Sequence, residues 1–174
     1  MELATVDFSR ENLSLPDIKD FDCGEEPWAR AAANWIKSSP PFESALKSME
    51  KHGTTVWLHF IDLGFYRELV GFSSLGLTQR SRKQVGFIPQ LAVNKLFQGK
   101  GVGAGDKHYS DLILEHLIKV AQERAKTEPA YKRLCLLVHA DNRKAQCLYA
   151  KFGFTIVGKQ DARALVPMVK CLLT

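Results

Sequence analysis

Residues 85–104 concentrate the groups that could handle an anion. Val85, Phe87, Ile88, Leu91 and Val93 read as a buried strand interrupted by Pro89. Gln98, Gly101 and Gly103 follow in a Q-x-x-G-x-G pattern, with a further glycine at Gly99. Proline has no N–H, so it suits an edge or a bulge rather than the middle of a ladder. A strand broken there can part from its neighbour and leave main-chain groups free for a ligand. Glycines let the main chain approach a ligand closely and take dihedrals closed to other residues. A helix opening after the turn adds unpaired N–H groups and the positive end of its dipole. Together these are the parts of a phosphate site.

Two other phosphate motifs compete for the same residues. Gly99 to Ala104 also fits G-x-G-x-x-A. A dinucleotide turn, however, places its first glycine at the strand end, with an acid about 20 residues on at the tip of the next strand. Here Asn94 to Gln98 intervene, and the chain that far on still reads as helix. A phosphate loop needs Lys followed by Ser or Thr, whereas Gly101 follows Lys100. A plain strand-to-helix turn is the remaining reading, and it carries no chemistry.

A second constellation lies downstream. Leu134 to Val138 reads as a strand, followed by Asn142-x-x-Ala145-x-x-x-Tyr149-x-x-x-Gly153-Phe154. Taken alone, Asn142 is a helix N-cap and Tyr149 a packed aromatic. Both patterns in this order resemble the GCN5-related N-acetyltransferase (GNAT) family, from about residue 54 onward. The resemblance implies an α/β fold: a single GNAT-type domain over residues 1–174, with a mixed central sheet, helices on both faces and a splayed pair of parallel strands. It implies acetyl-CoA as co-substrate, held by Leu91, Ala92, Val93, Gln98, Gly99, Lys100, Gly101, Val102, Gly103, Ala104 and Asn142. It implies two catalytic groups. The N–H of Val93 would polarise the acetyl carbonyl, and Tyr149 would protonate the leaving thiolate. The family signature is usually followed by two apolar residues. Here Asp106 and Lys107 stand instead, which implies a displaced or more polar first turn.

A narrower resemblance rests on Phe21-Asp-Cys-Gly24, Leu137-Val-His-Ala140, Tyr149 to Phe154 and a terminal Leu165-Val-Pro-Met168 strand. These look like the GNAT toxins of bacterial toxin–antitoxin pairs. That resemblance implies acetylation of the α-amine of aminoacyl-tRNA and a ribbon-helix-helix antitoxin as partner. A small amine or a protein N-terminus is the alternative acceptor, and a homodimer stays open. No general base stands out. An α-amine has a reference pKa near 7.7–8.0 and an aminoacyl ester's should be lower, so the acceptor needs little help. His139, at a strand end, reads as locally hydrogen-bonded; His59 could face either way.

The elements that must position these residues follow from periodicity. Leu3 to Phe8 reads as a strand and Ser14 to Asp20 as loop. Helices follow at Pro27 and from Phe42. Strands over 54–61 and 69–77 form a hairpin, and Gln79 to Gln84 a basic connection. A helix spans 101–126 with the stripe Tyr109, Leu112, Ile113, His116, Leu117 and Val120. Then come strand 133–139, helix 142–151 and strands 154–157 and 164–172. Strands 85–93 and 133–139, joined by a helix, should be parallel neighbours.

Composition sets the outer bounds. A chain of 174 residues with 45% hydrophobic and 25% charged residues is of ordinary globular type. No apolar run is long enough to cross a membrane. No secretory signal precedes the fold, so the cytoplasm is the expected compartment. The four cysteines are dispersed and no metal-ligand spacing occurs, so no metal is expected. Cys135 and Cys171 read as core. The net charge of +5 suits an anionic cofactor and, beyond it, a polyanionic acceptor. Arg80, Arg82, Lys83, Lys95, Lys100, Arg143 and Lys144 are expected to rim the cofactor mouth.

Overall fold

A computed structural model describes residues 3–8, 16–38, 43–80, 82–102 and 107–172. Along these the chain runs β1 (Leu3–Asp7), α1 (Pro16–Lys19), α2 (Pro27–Lys37), α3 (Glu43–His52), β2 (Thr55–Asp62), β3 (Arg67–Arg80), β4 (Lys83–Ile88), β5 (Leu91–Val93), α4 (Tyr109–Ala125), a 3₁₀ turn (Pro129–Lys132), β6 (Arg133–His139), α5 (Arg143–Lys151), β7 (Thr155–Ile156) and β8 (Leu165–Cys171). The strands join in one mixed sheet in the order β1-β2-β3-β4-β6-β8-β7, with β5 paired to β3 alone.

β4 and β6 are parallel and pair over Gly86–Ile88 and Leu134–Leu136. Every other pairing is antiparallel. The expected parallel neighbours are therefore present, and the break falls at Pro89. Beyond it, β5 keeps its antiparallel ladder to β3 and loses β6. A glycine makes that ladder tight: a Cβ on Gly71 would lie 2.4 Å from the carbonyl oxygen of Ala92.

Helices cover both faces. Trp57, Leu75, Ile88, Leu134, Leu136, Val138, Met168 and Leu172 pack with Leu114, Leu117, Ile118, Ala121 and Ala125 of α4. Val56, Leu58, Phe60, Phe72 and Ala92 pack on the other face with Ala33 and Ile36 of α2 and Ala45 of α3. Each such large aliphatic side chain contributes roughly 1.5–3 kcal/mol on burial.

The structure corrects several expectations. The long helix begins at Tyr109, not at residue 101. Residues 100–102 are instead turned back on 107–109: Val102 N–H donates to Lys107 O and Tyr109 N–H to Lys100 O. A capping box then starts the helix, with Asp111 accepting from His108 N–H and His108 capping the first turn. The stripe is also rotated. Leu112, His116 and Val120 are half-buried, while Leu114, Ile118 and Ala121 are fully inside. Residues 79–84 are less a connection than a continuation of two strands, joined through Arg82 at φ 64°. Part of the 14–20 loop is a one-turn helix, α1. Cys135 is core as expected, but Cys171 is exposed on β8.

Candidate active site

The parted strands define the site. Ser74 N–H donates to Gln90 O and Asn94 N–H to Val70 O, so the main chain of 90, 92 and 94 faces β3. Along an antiparallel ladder these directions alternate, so Leu91 and Val93 present their N–H and C=O groups to the opening. On the far wall, Ala140 N–H donates to Ala164 O and Leu172 N–H to Lys132 O, so Val138 faces β8. Leu137 therefore faces the opening with both of its groups and His139 with its N–H alone, because the His139 carbonyl accepts from Asn142 N–H and Gln146 Nε2. Two strands thus present main-chain donors and acceptors across a gap with no strand between them, which fits a ligand carrying amides along its length.

Gln98 fixes one wall. Its Nε2 donates to Val93 O at 2.9 Å and to Cys23 O at 2.8 Å. The first bond takes the Val93 carbonyl out of play and leaves its N–H for a ligand. The second ties the turn to the Phe21–Gly24 segment that precedes α2. Lys95 reinforces that tie with a main-chain bond to Asp22 O and an ion pair to the Asp22 carboxylate. The Lys95 ammonium, together with Gly24 N–H, holds that carboxylate below its usual range. Burial pushes the neighbouring Cys23 thiol up to about 12, so it stays protonated and inert.

The turn itself fits a phosphate only in part within the described residues. Gly99 has φ +70°, a conformation that favours glycine. Lys100 lies over the Phe97 ring, and Gly101 is bridged to His108. Gly103 and Ala104 lie outside the described residues. Leu91, Ala92 and Val93 form β5, and Val102 follows the bridge as a bend.

α5 carries the other wall's side chains. Asn142 caps it, its Oδ1 accepting from Ala145 N–H at 3.1 Å. Lys151 at its end pairs with Asp111 at 2.9 Å, and Lys170 Nζ donates to Phe152 O at 2.7 Å. Burial works against the Asp111 carboxylate. The Lys151 bond and the His108 N–H outweigh it and keep the group ionised and below the usual range. Held at both ends, α5 places Tyr149 inside, 7% exposed and edge-on to Phe154 at 5.8 Å. Its hydroxyl makes no hydrogen bond among the described residues. Burial pushes it up to about 12, so it keeps its proton throughout the neutral range. Such a phenol can donate a proton and cannot serve as a base.

His139 makes its local bond as expected: Nδ1 accepts from Asp141 N–H at 3.3 Å. Sequence reasoning missed its other partner. Trp28, in the first turn of α2, stacks on the imidazole at 4.7 Å and 27°. No spacing rule links residues 28 and 139; only the tertiary fold brings them together. His59 is buried, bonded to Thr5 Oγ1 and Ser73 Oγ, and stands away from the gap. A cavity of about 500 Å³ between β1 and α4, lined by Leu3, Thr5, Leu112 and His116, shares only Val102 with the motif residues. The expected basic rim is split. Lys95, Lys100, Arg143 and Lys144 lie beyond the strand ends that open the gap, whereas Arg80, Arg82 and Lys83 sit where β3 turns into β4, at the opposite end of the sheet.

An acetyltransferase (GNAT) family model matches residues 25–154. The chain belongs to the GNAT acetyltransferase family. Among solved structures it is similar to one described as a bacterial toxin, at 20% identity over 98% of this chain and 90% of that one, with a TM-score of 0.72. It is also similar to a mutant AtaT toxin bound to the C-terminus of the antitoxin AtaR and acetyl-CoA, at 16% identity over 97% and 92%, TM-score 0.68. A third is AtaT complexed with acetyl-methionyl-tRNAfMet, at 15% identity over 98% and 95%, TM-score 0.67. No curated protein matches the sequence. These GNAT-type toxins share its fold. No helix among the described residues is long and apolar enough to cross a membrane.

Proposed function

We propose that this GNAT acetyltransferase transfers the acetyl group of acetyl-CoA directly to the α-amine of an aminoacyl-tRNA, as the toxin of a toxin–antitoxin pair. Two observations support the chemistry: a Val93 N–H directed away from β3, and a buried Tyr149 on α5 whose hydroxyl keeps its proton and has no hydrogen-bond partner among the described residues.

In this reading the extended part of the co-substrate lies along Leu91–Val93 and Leu137. Its phosphates meet Gln98 to Ala104, and Asn142 Nδ2 is available to its amides. The amine attacks the thioester carbonyl. Val93 N–H stabilises the charge developing on the carbonyl oxygen, Tyr149 delivers its proton to the departing sulfur, and the amine loses its own to water. A tRNA acceptor is supported by the likeness to AtaT complexed with acetyl-methionyl-tRNAfMet and by the aromatic pair at the mouth. Its partner would be an antitoxin of ribbon-helix-helix type, and the chain would act as one domain. A small amine or protein N-terminus is the second reading. The Asp141 carboxylate, 3.7 Å from His139, favours it, because it would attract a cation.

The test is incubation with charged tRNA and labelled acetyl-CoA. Label recovered on the RNA is expected. Label found only on added polyamines or peptides would move the acceptor to the second reading.

A further inference from the structure

Four cations that the family motifs do not use, Arg82, Lys83, Lys132 and Arg133, lie at one end of the sheet. Gly86 pairs with Leu134, which sets Val85 beside Arg133. By strand alternation Lys83, Val85, Arg133, Leu137 and His139 all project from the same face of the sheet, the one opposite α4. Arg82 precedes Lys83 in the turn, and Lys132 precedes Arg133. All four cations are exposed, and none forms an ion pair among the described residues. Lys95, nearer the gap, is by contrast paired with Asp22.

The other end of the same face is aromatic. Trp28 and His139 stack there, half-buried, with Leu137 42% exposed beside them. Asp141 next to His139 makes this end a poor seat for a phosphate and leaves it suited to a neutral ring. Cys135, between the ends, is buried, so they are two separate contact points. Six residue steps along β6 separate His139 from Arg133, about 20 Å at ~3.3 Å per residue. Stacked nucleotides advance ~3.4 Å each along a strand, so this span is about six nucleotides.

We infer that this face is a two-point RNA site. The Trp28–His139 stack receives an unpaired base at the 3′ end, and Lys83 and Arg133 on this face, with Arg82 and Lys132 beside them at the end of the sheet, grip phosphates of the adjoining stem. The pairing of a stacking platform with a separate cationic contact is how single-stranded ends are held without sequence readout. The inference deepens the aminoacyl-tRNA reading and rests on it for the identity of the acceptor.

Two measurements test it. The first is fluorescence anisotropy of an RNA hairpin with an unpaired 3′ tail. The second is acetylation kinetics on charged tRNA and on an amino-acid methyl ester, an acceptor without RNA. The quadruple variant R82Q/K83Q/K132Q/R133Q should weaken hairpin binding roughly 10–100-fold and lower the slope of log K against log salt by about 3–4, at ~0.7–0.9 per phosphate contact. Its kcat/KM should fall equally on charged tRNA and stay unchanged on the methyl ester. Trp28→Leu should weaken the tailed hairpin more than a blunt one. Unchanged binding and salt slope in the quadruple variant would overturn the site. So would an equal loss on the methyl ester. A wild-type protein that binds the hairpin but labels no charged tRNA would refute the proposed acceptor and leave the RNA site standing.

Discussion

The two faces of the sheet are built differently around the same gap. On the α4 face, residues from β2, β3, β4, β6 and β8 form one buried cluster with the helix, and Tyr149 sits within it. On the opposite face, α1, α2 and α3 cover β2, β3 and β5, while Arg133 and Leu137 of β6 stay exposed. The closed face keeps Tyr149 dry and protonated, as the proposed donation to a departing sulfur requires. The open face leaves room for a large acceptor. In the function proposed above, donor chemistry and acceptor recognition would be divided between the faces and meet at Val93 and His139.

The sharpest way to break that division is through Tyr149. Tyr149→Phe keeps the packing against Phe154 and removes the proton. We expect kcat to fall by about two to four powers of ten, with the Kd for acetyl-CoA unchanged in calorimetric titration. If His139→Phe, on the acceptor side, cut kcat to the same extent on the amino-acid methyl ester, the proton chemistry would not belong to one face alone.

Adjacent residues of β6 give a second test of smaller size. Leu136 points into the closed face and is 1% exposed; Leu137 points to the open one. Leu136→Ala should cost about 2–5 kcal/mol of stability in urea unfolding, the usual range for a buried leucine. Leu137→Ala should stay within about ±0.5 kcal/mol, as for a surface site. Comparable losses would mean that something in solution covers Leu137 as thoroughly as α4 covers Leu136.

The same contrast explains what could be read in advance. The parallel β4–β6 pair and the break at Pro89 are local facts: a proline in an apolar run, two strands and the helix between. So is the pairing of Asn142 with Tyr149, whose spacing of seven puts them about two helical turns apart. The roles of Val93 and Tyr149 came from resemblance, and the geometry is compatible with them. The start of α4 was not legible. The glycines invite a helix at 101, and only the capping box of His108 and Asp111, with Lys151 beside it from 40 residues away, places it at Tyr109. The split of the basic residues was also hidden, because nearness to the motif in sequence says nothing about which end of a strand a side chain occupies. The Trp28–His139 stack depends wholly on tertiary contact.

The smallest effect separates the faces by their histidines. His139 on the open side is half-exposed. His59 on the closed side is buried, its ring nitrogens bonded to Thr5 and Ser73 and its ring edge-on to His116 at 5.7 Å. Burial, followed by the neighbouring His116, pushes His59 down to about 3. Burial also lowers His116, though Asp7 opposes it. The sign follows from linkage. Above pH 6.5 the folded and unfolded forms of His59 are both neutral and the residue adds no pH dependence. Below it the unfolded chain binds a proton that the folded one refuses, so stability falls as pH falls from 6.5 toward 3. The slope is at most about 1.4 kcal/mol per pH unit for each such histidine. Between pH 7 and 5 most carboxylates stay ionised, so urea midpoints in that window isolate the effect. His59→Gln, which keeps a donor and an acceptor for Thr5 and Ser73, should flatten the slope. A slope that survived His59→Gln intact would mean that protonation reaches this face through another group, and that the closed side of the sheet is less dry than its packing implies.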